Sequence, residues 1–458
     1  MKMQLAEIAR VVQAKNDVTP WATQEIASVS FDSRTLTPGA LFVPLVAAQD
    51  GHRFIESARQ HGATATFWQA GHSDEPTDFP VLEVDDPLTA LQQLARYYLL
   101  KVDPRVVAIT GSDGKTTTKD MTAAILKKRF NVHKTQGNFN NEIGVPMTIL
   151  SMETNTEVLV VEMGMDRPGQ LDFLSQMVAP DVAVITMIGE AHIEFFGTRA
   201  KIADAKLEIT HGLKDDGFFI YEGDEPLLHE RAEQVHQQQR TFGQSETCEL
   251  YPIMIESTAN ETRFRLNKYP DLTFSLPLLG SYNVNNAMAA IQVGALLRIK
   301  PAEMQAALAH FDLTRNRTQW VSGANGVNIL SDVYNANPTA MRAVLRAFQA
   351  VPTQGRRIAV LGDMLELGDQ AATLHASVAE AVDPTQLDEV YLYGDLMQAL
   401  ATALKAKPDY AAHVHYFPTA EKEQLSQALL ADVQTGDAVL LKASNGMHLD
   451  TILRQLKD

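Results

Sequence analysis

Two hydrophobic rhythms alternate along this chain. Short runs rich in Val, Ile and Phe, typical of buried strands, are followed by stretches whose apolar positions return every third or fourth residue, as on one helix face. Runs at 28–31, 41–46, 65–68 and 81–84, broken by Pro38-Gly39, Asp50-Gly51 and His61-Gly62, predict a small α/β unit. Asp85-Asp86-Pro87 reads as a linker and helix cap, with a helix over 88–100. Strands are then expected at 106–109, 157–162, 182–187 and 218–221, between helical stretches. Residues 246–278 switch to alternating polarity, as in an antiparallel insertion, before an Ala-rich helix over 284–297. From Arg317 onward, strands at 327–332, 357–361, 389–393 and 438–442 alternate with helices such as 339–350 and 373–382. This predicts an α/β chain of three domains, 1–84, 85–316 and 317–458. The central domain is a doubly wound sheet, flanked by a small N-terminal α/β domain and a second doubly wound domain.

Length agrees, since 458 residues exceed one core and suggest about three domains. Hydrophobic residues at 45% and charged residues at 21% describe a globular chain. A net charge of −17 and the lack of a Lys/Arg-rich run argue against a nucleic-acid partner. The amphipathic start, MKMQLAEIARVVQ, does not read as a signal peptide, and no long apolar run predicts membrane insertion. The single cysteine, Cys248, excludes an intrachain disulfide and suits a reducing cytoplasm. A cytoplasmic monomer is the expectation.

The strongest local chemistry is Gly111-Ser112-Asp113-Gly114-Lys115-Thr116-Thr117, set between the apolar run at 106–109 and the helical stretch MTAAILKKRF. Strand, glycine loop and helix start form a phosphate cradle, in which Lys115 adds charge and a hydroxyl reaches Mg²⁺. The strict P-loop spacing is absent, because Ile109 stands where its first glycine would be.

Four further groups carry polar residues at strand ends or in loops. Lys134–Pro146 offers the amides of Asn138, Asn140 and Asn141 to a polar substrate. Glu162 ends an apolar strand near the phosphate loop, where a carboxylate can hold Mg²⁺ or simply cap. His192, Glu194, Lys201 and Lys206 follow the next strand. Asp332 ends another, ahead of Tyr-Asn-Ala-Asn-Pro, and an acid there can hold a ribose hydroxyl. Near the front, Asp32-Ser33-Arg34 can cap a turn or hold an anionic group.

Taken together, GSDGKTTT, GNFNNEIGVP, VEMG, IGEAHIEFFGT, AKLEI and DVYNANPTAM resemble the Mur ligases, as do FDSR, PGALF, DGHRF and LGDMLELG. The resemblance spans essentially the whole chain. It implies a UDP-sugar domain, a central P-loop-type ATPase domain and a C-terminal domain closing over ATP. The implied reaction is ATP-dependent joining of D-alanyl-D-alanine to UDP-N-acetylmuramoyl-tripeptide, through an acyl phosphate, in peptidoglycan synthesis. By resemblance, Lys115 holds phosphate, Thr116 and Glu162 hold Mg²⁺, His192 lies near a second metal, and Lys206 is carbamylated. Asn286, Arg317 and Asp332 contact the nucleotide, Asp32, Ser33 and Arg34 the UDP group, and Asn138, Asn140, Asn141, Asn335 and Asn337 the substrates. Three motifs depart from the family: Asn316 replaces a glycine, Ala47-Ala48-Gln49 replaces a basic-Gly pair, and Asn445 replaces an arginine in Lys442-Ala443-Ser444-Asn445. Other Mur-type steps, a plain P-loop ATPase or kinase, and a non-catalytic nucleotide-binding module are the alternatives.

Overall fold

The computed structural model describes residues 1–458 apart from 259–260, 315–316 and 458, so Asn316, at the expected domain border, lies outside the described residues. At the front, strands Ser28–Ser30, Ala40–Phe42, Ala63–Gln69 and Val81–Val84 form a four-stranded parallel sheet in chain order. The strand expected over 41–46 ends early, at Phe42. Val43 N–H still donates to Ser30 O at 2.9 Å, but Pro44 has no N–H to continue the ladder. The chain instead turns and closes on the Val46–Asp50 bridge. Asp86 caps the next helix, Pro87–Val102, by accepting Thr89 N–H at 2.7 Å, with Pro87 in the first turn.

The central sheet is six parallel strands in the order Gln238–Phe242, Phe218–Glu222, Val182–Ile185, Arg105–Thr110, Val158–Glu162 and Val132–Lys134. Arg105–Thr110 is covered on both faces. Val106 and Ala108 enter one core, while Val107 and Ile109 enter another, shared with helices Lys115–Leu126 and Tyr282–Leu296. This double burial explains the continuous apolar run. The Tyr282–Leu296 helix packs closely on the loop helix, where a Cβ on Gly294 would lie 2.7 Å from Ile125 Cγ2. The antiparallel insertion is the sheet Pro252–Ser257, Thr262–Leu266 and Tyr269–Leu276, whose Phe264 and Phe274 join this second core.

The C-terminal sheet runs Gln319–Ser322, Asn328–Asp332, Ala438–Lys442, Arg357–Gly362, Glu389–Tyr393 and Val414–Phe417, parallel except for its first edge strand. The strands that sequence pattern does not mark are mostly edge strands, such as Gln238–Phe242, which reads Gln-Gln-Arg-Thr-Phe. An edge strand keeps one flank open and can stay polar. Among the described residues, no helix is long and apolar enough to cross a membrane. The carboxyl ends of both six-stranded sheets, among them Glu162, Glu222, Asp332 and Lys442, meet between the central and C-terminal parts of the chain.

Candidate active site

The phosphate-type loop departs from the carboxyl end of Arg105–Thr110 into the N-terminus of Lys115–Leu126. Gly111 has φ +152°, and a Cβ there would lie 1.8 Å from Thr186 Oγ1; Gly114 has φ +80°, with a Cβ 2.2 Å from Asn286 Oδ1. Both positions demand glycine on steric and conformational grounds. Thr186 Oγ1 donates to Asp113 O, and Ser112 N–H donates to Met187 O at 2.9 Å, so the neighbouring strand end holds the loop. Lys115 Nζ donates to Gly111 O at 2.8 Å and Ser112 O at 3.2 Å. Burial holds its pKa below the ordinary lysine value.

Two cavities meet on this loop. The first, about 260 Å³, is lined by Asp113, Gly114, Thr117, Asn286, Arg317, Asp332 and Asn335, with Tyr282, Glu222 and Lys442. The second, about 330 Å³, brings together Ser112, Lys115, Thr116, Asn138, Asn140, Asn141, Glu162, His192 and Lys206, and shares Asp113, Gly114, Arg317 and Asn335 with the first.

Of the residues singled out from sequence, Gly111, Asn337, Asp32, Ser33, Arg34, Glu194 and Lys201 line neither cavity. Gly111 acts through its backbone. Asn337 is buried: its Oδ1 caps the next helix by accepting Ala340 N–H, and its Nδ2 donates to Asp113 Oδ2 at 2.6 Å. It therefore ties the C-terminal domain to the loop. Asp32 and Arg34 pair with each other, Nη2 to Oδ2 at 2.9 Å, and Arg34's hydrogen bond lowers the Asp32 carboxyl to about 2. They follow Phe31, whose ring meets Phe139 edge-on at 6.3 Å, which sets the front domain against the Asn138 loop.

Glu162 is 2% exposed. Asn140 Nδ2 donates to its Oε1 at 2.9 Å, while its Oε2 accepts no hydrogen bond. A buried carboxylate oxygen that accepts no hydrogen bond, with the Lys119 ammonium 3.9 Å away, on a cavity shared with the Thr116 hydroxyl, is a donor set that suits a hard cation such as Mg²⁺. Asn141 differs from its neighbours, since its Oδ1 accepts Gly144 N–H at 2.9 Å and Ile143 N–H at 3.2 Å at the start of a helix. Lys206 is buried, and burial together with nearby Lys115 holds its pKa well below the ordinary lysine value.

Asp332 faces Lys442 across the parallel pair of strands, Nζ to Oδ2 at 2.5 Å, and Lys442 also donates to Asn335 O at 3.0 Å. Arg317 stacks its guanidinium on Tyr334 at 3.7 Å and donates to Thr116 Oγ1 at 3.3 Å. Thr339 N–H donates to Glu190 at 3.1 Å, so further contacts join the two halves. His192 Nδ1 lies 2.5 Å from Glu366 Oε2, and this contact holds the Glu366 carboxyl below its ordinary range.

Sequence reasoning missed Glu222, Lys442 and Glu366. Glu222 and Lys442 each end an apolar strand, FFIYE and AVLLK, the same signal that flagged Glu162. Burial, then neighbouring Glu225, raises the Glu222 carboxyl to about 7.

Three family descriptions match in tandem: "Mur ligase family, catalytic domain" over 25–99, "Mur ligase middle domain" over 109–294, and "Mur ligase, glutamate ligase domain" over 316–445. The UDP-N-acetylmuramoyl-tripeptide–D-alanyl-D-alanine ligase of Bacillus subtilis (strain 168) is 41% identical over 457 residues, covering 100% of this chain and 98% of that protein. A crystal structure of MurF from Acinetobacter baumannii superposes with a TM-score of 0.88 at 28% identity, covering 100% of this chain and 99% of its own. The MurF ligase of Thermotoga maritima, in complex with ADP, gives a TM-score of 0.80 at 28% identity, covering 94% and 97%. With three family descriptions matched in tandem and a relative 41% identical across the whole chain, the chain belongs to the Mur ligase family.

Proposed function

We propose that this chain is an ATP-dependent ligase that joins D-alanyl-D-alanine to UDP-N-acetylmuramoyl-tripeptide in the cytoplasm, as a three-domain enzyme with borders near residues 84 and 316. The observation that carries this reading is the meeting of two cavities on one phosphate-type loop. ATP occupies the first, with its γ-phosphate at the junction; the peptide carboxylate enters from the second.

Amide formation needs an activated acid. The peptide carboxylate oxygen attacks the γ-phosphorus, ADP leaves, and an acyl phosphate forms. The dipeptide amine then attacks the acyl carbon, and phosphate departs as the C–N bond forms and the amine loses a proton. The first step brings an anion onto a polyanion, so Lys115 and Arg317 lower its barrier by facing the transferred group. Asp332 takes the ribose hydroxyls and Asn286 the phosphate side of the nucleotide. Asn138 and Asn140 orient the substrate, and Asp32, Ser33 and Arg34 receive its UDP end. Thr116 and Glu162 would hold Mg²⁺, which screens phosphate charge, and His192 and Lys206 border the same cavity. Lys206, as a neutral amine, adds CO₂ and loses a proton to give a carbamate, an anion suited to a hard cation. The ties from Asn337 to Asp113 and from Thr339 to Glu190 close the C-terminal domain over the loop, which keeps water from the acyl phosphate.

Phosphate release by the purified chain, with ATP and each acceptor alone or together, tests this reading. Net turnover should require both UDP-N-acetylmuramoyl-tripeptide and D-alanyl-D-alanine. Release independent of both would identify a plain ATPase.

A further inference from the structure

The LGDMLELG segment has no part in the chemistry above, yet it reaches the site from the C-terminal domain. Three supports make its loop rigid. Met364 N–H donates to Nε2 of the buried His375 at 3.0 Å, Leu365 N–H donates to Ser444 Oγ at 2.9 Å, and Ser444 N–H donates back to Asp363 O at 3.2 Å. The loop then grips the segment that carries His192. Glu194 N–H donates to Glu366 O at 3.1 Å, and Gln370 Nε2 donates to Gly197 O at 3.0 Å.

At the centre of this grip, the Glu366 carboxylate meets His192 Nδ1 at 2.5 Å. His192 and Glu366 have φ of 65° and 61°, so both non-glycine residues hold the left-handed conformation to face each other. The Glu366 side chain is about half exposed, so core packing does not require it. His192 lines the second cavity and Glu366 does not.

We propose that Glu366 is a positioning residue for His192: its carboxylate keeps the imidazole proton on Nδ1 and leaves Nε2 as the ring nitrogen offered to the cavity. The partner of one ring nitrogen decides which tautomer the other can use. Because Glu366 belongs to the C-terminal domain, this ordering accompanies closure. The inference rests on the proposed reading only where His192 is taken to border a cation; the tautomer claim stands on the contact itself.

Two measurements on the full-length protein separate these parts. Long-range ¹H–¹⁵N correlation on ¹⁵N-histidine-labelled protein, with His192→Gln to assign the signal, should show an Nδ1-protonated His192 in wild type. Glu366→Ala should shift it toward the Nε2-protonated form, and Glu366→Gln, whose amide oxygen can still accept, should largely retain it. Second, Mn²⁺ binding in the presence of ADP, followed by electron paramagnetic resonance, should weaken roughly ten- to a hundred-fold in Glu366→Ala and less in Glu366→Gln. An unchanged His192 tautomer in folded Glu366→Ala, or an Nε2-protonated wild type, overturns the positioning role. If His192→Gln leaves Mn²⁺ affinity unaltered while the tautomer responds to Glu366, the cation reading of His192 fails and the positioning role survives.

Discussion

Asp332→Asn tests the polar end of the first cavity most directly, because it removes one charge and little volume. Asp332 and Lys442 sit opposite one another at the ends of adjacent parallel strands, Nζ to Oδ2 at 2.5 Å, with side chains 13% and 3% exposed. At that separation the Coulomb attraction is about 6–7 kcal/mol for an effective dielectric near 20. Desolvation of both ions offsets much of it, and breaking a buried pair by removing one partner costs about 3–5 kcal/mol. Asn335 O still accepts from Lys442, which places the expected loss near the lower end, about 3 kcal/mol. Urea unfolding of Asp332→Asn, Lys442→Met and the double variant supplies the double-mutant cycle, and the pair should be stabler than the summed single losses by about 2 kcal/mol or more. In kinetics, losing a charge-assisted bond to the nucleotide should raise the KM for ATP roughly ten- to a hundred-fold. The KM for the UDP-substrate should barely move. Additive single losses would refute the ion-pair argument. An unchanged KM for ATP beside a raised KM for the UDP-substrate would transfer Asp332 to the other cavity.

Lys115→Ala should lower kcat by about a hundred- to a thousand-fold with an unaltered thermal melt, since the lysine serves the loop and not a core; wild-type turnover in a folded variant would discount it as a phosphate ligand. Lys206→Arg should be folded and inactive and should lose the carbamate signal that wild type shows with ¹³C-bicarbonate, because a guanidinium cannot form that adduct; an active variant with no wild-type signal would retire the carbamate. Glu222 predicts a pH dependence of stability. Its carboxyl rises from 4.5 to about 7 on folding, so the folded chain keeps a proton that the unfolded chain has lost in that window, and stability falls as pH rises through it. Glu222→Gln should flatten that fall, with a relative gain at pH 8 over pH 5 of roughly 2–3 kcal/mol, measured by unfolding at the two pH values.

Periodicity and loop chemistry are local, and they determined much of this protein. Strands buried on both faces, such as Val158–Glu162 and Glu389–Tyr393, must be continuously apolar, so their positions were legible to within a residue or two. The loop at Gly111–Thr117 was legible because glycine, lysine and hydroxyl must follow one another in a fixed order to face an anion. The strand-end rule likewise found Glu162 and Asp332. Applied equally to FFIYE and AVLLK, it would have found Glu222 and Lys442. Only the tertiary structure decided who partners whom. Asp332 meets Lys442 from 110 residues away and His192 meets Glu366 from 174, and no local pattern encodes either contact. It also assigned Asn337 to an interdomain cap instead of an open cavity, and it ended the strand after Phe42 at Pro44. Local spacing specifies which groups a strand end or turn can present; the packing of two sheets on one loop selects which of them meet, because side-chain contacts form between distant segments whose order in the chain carries no record of their approach.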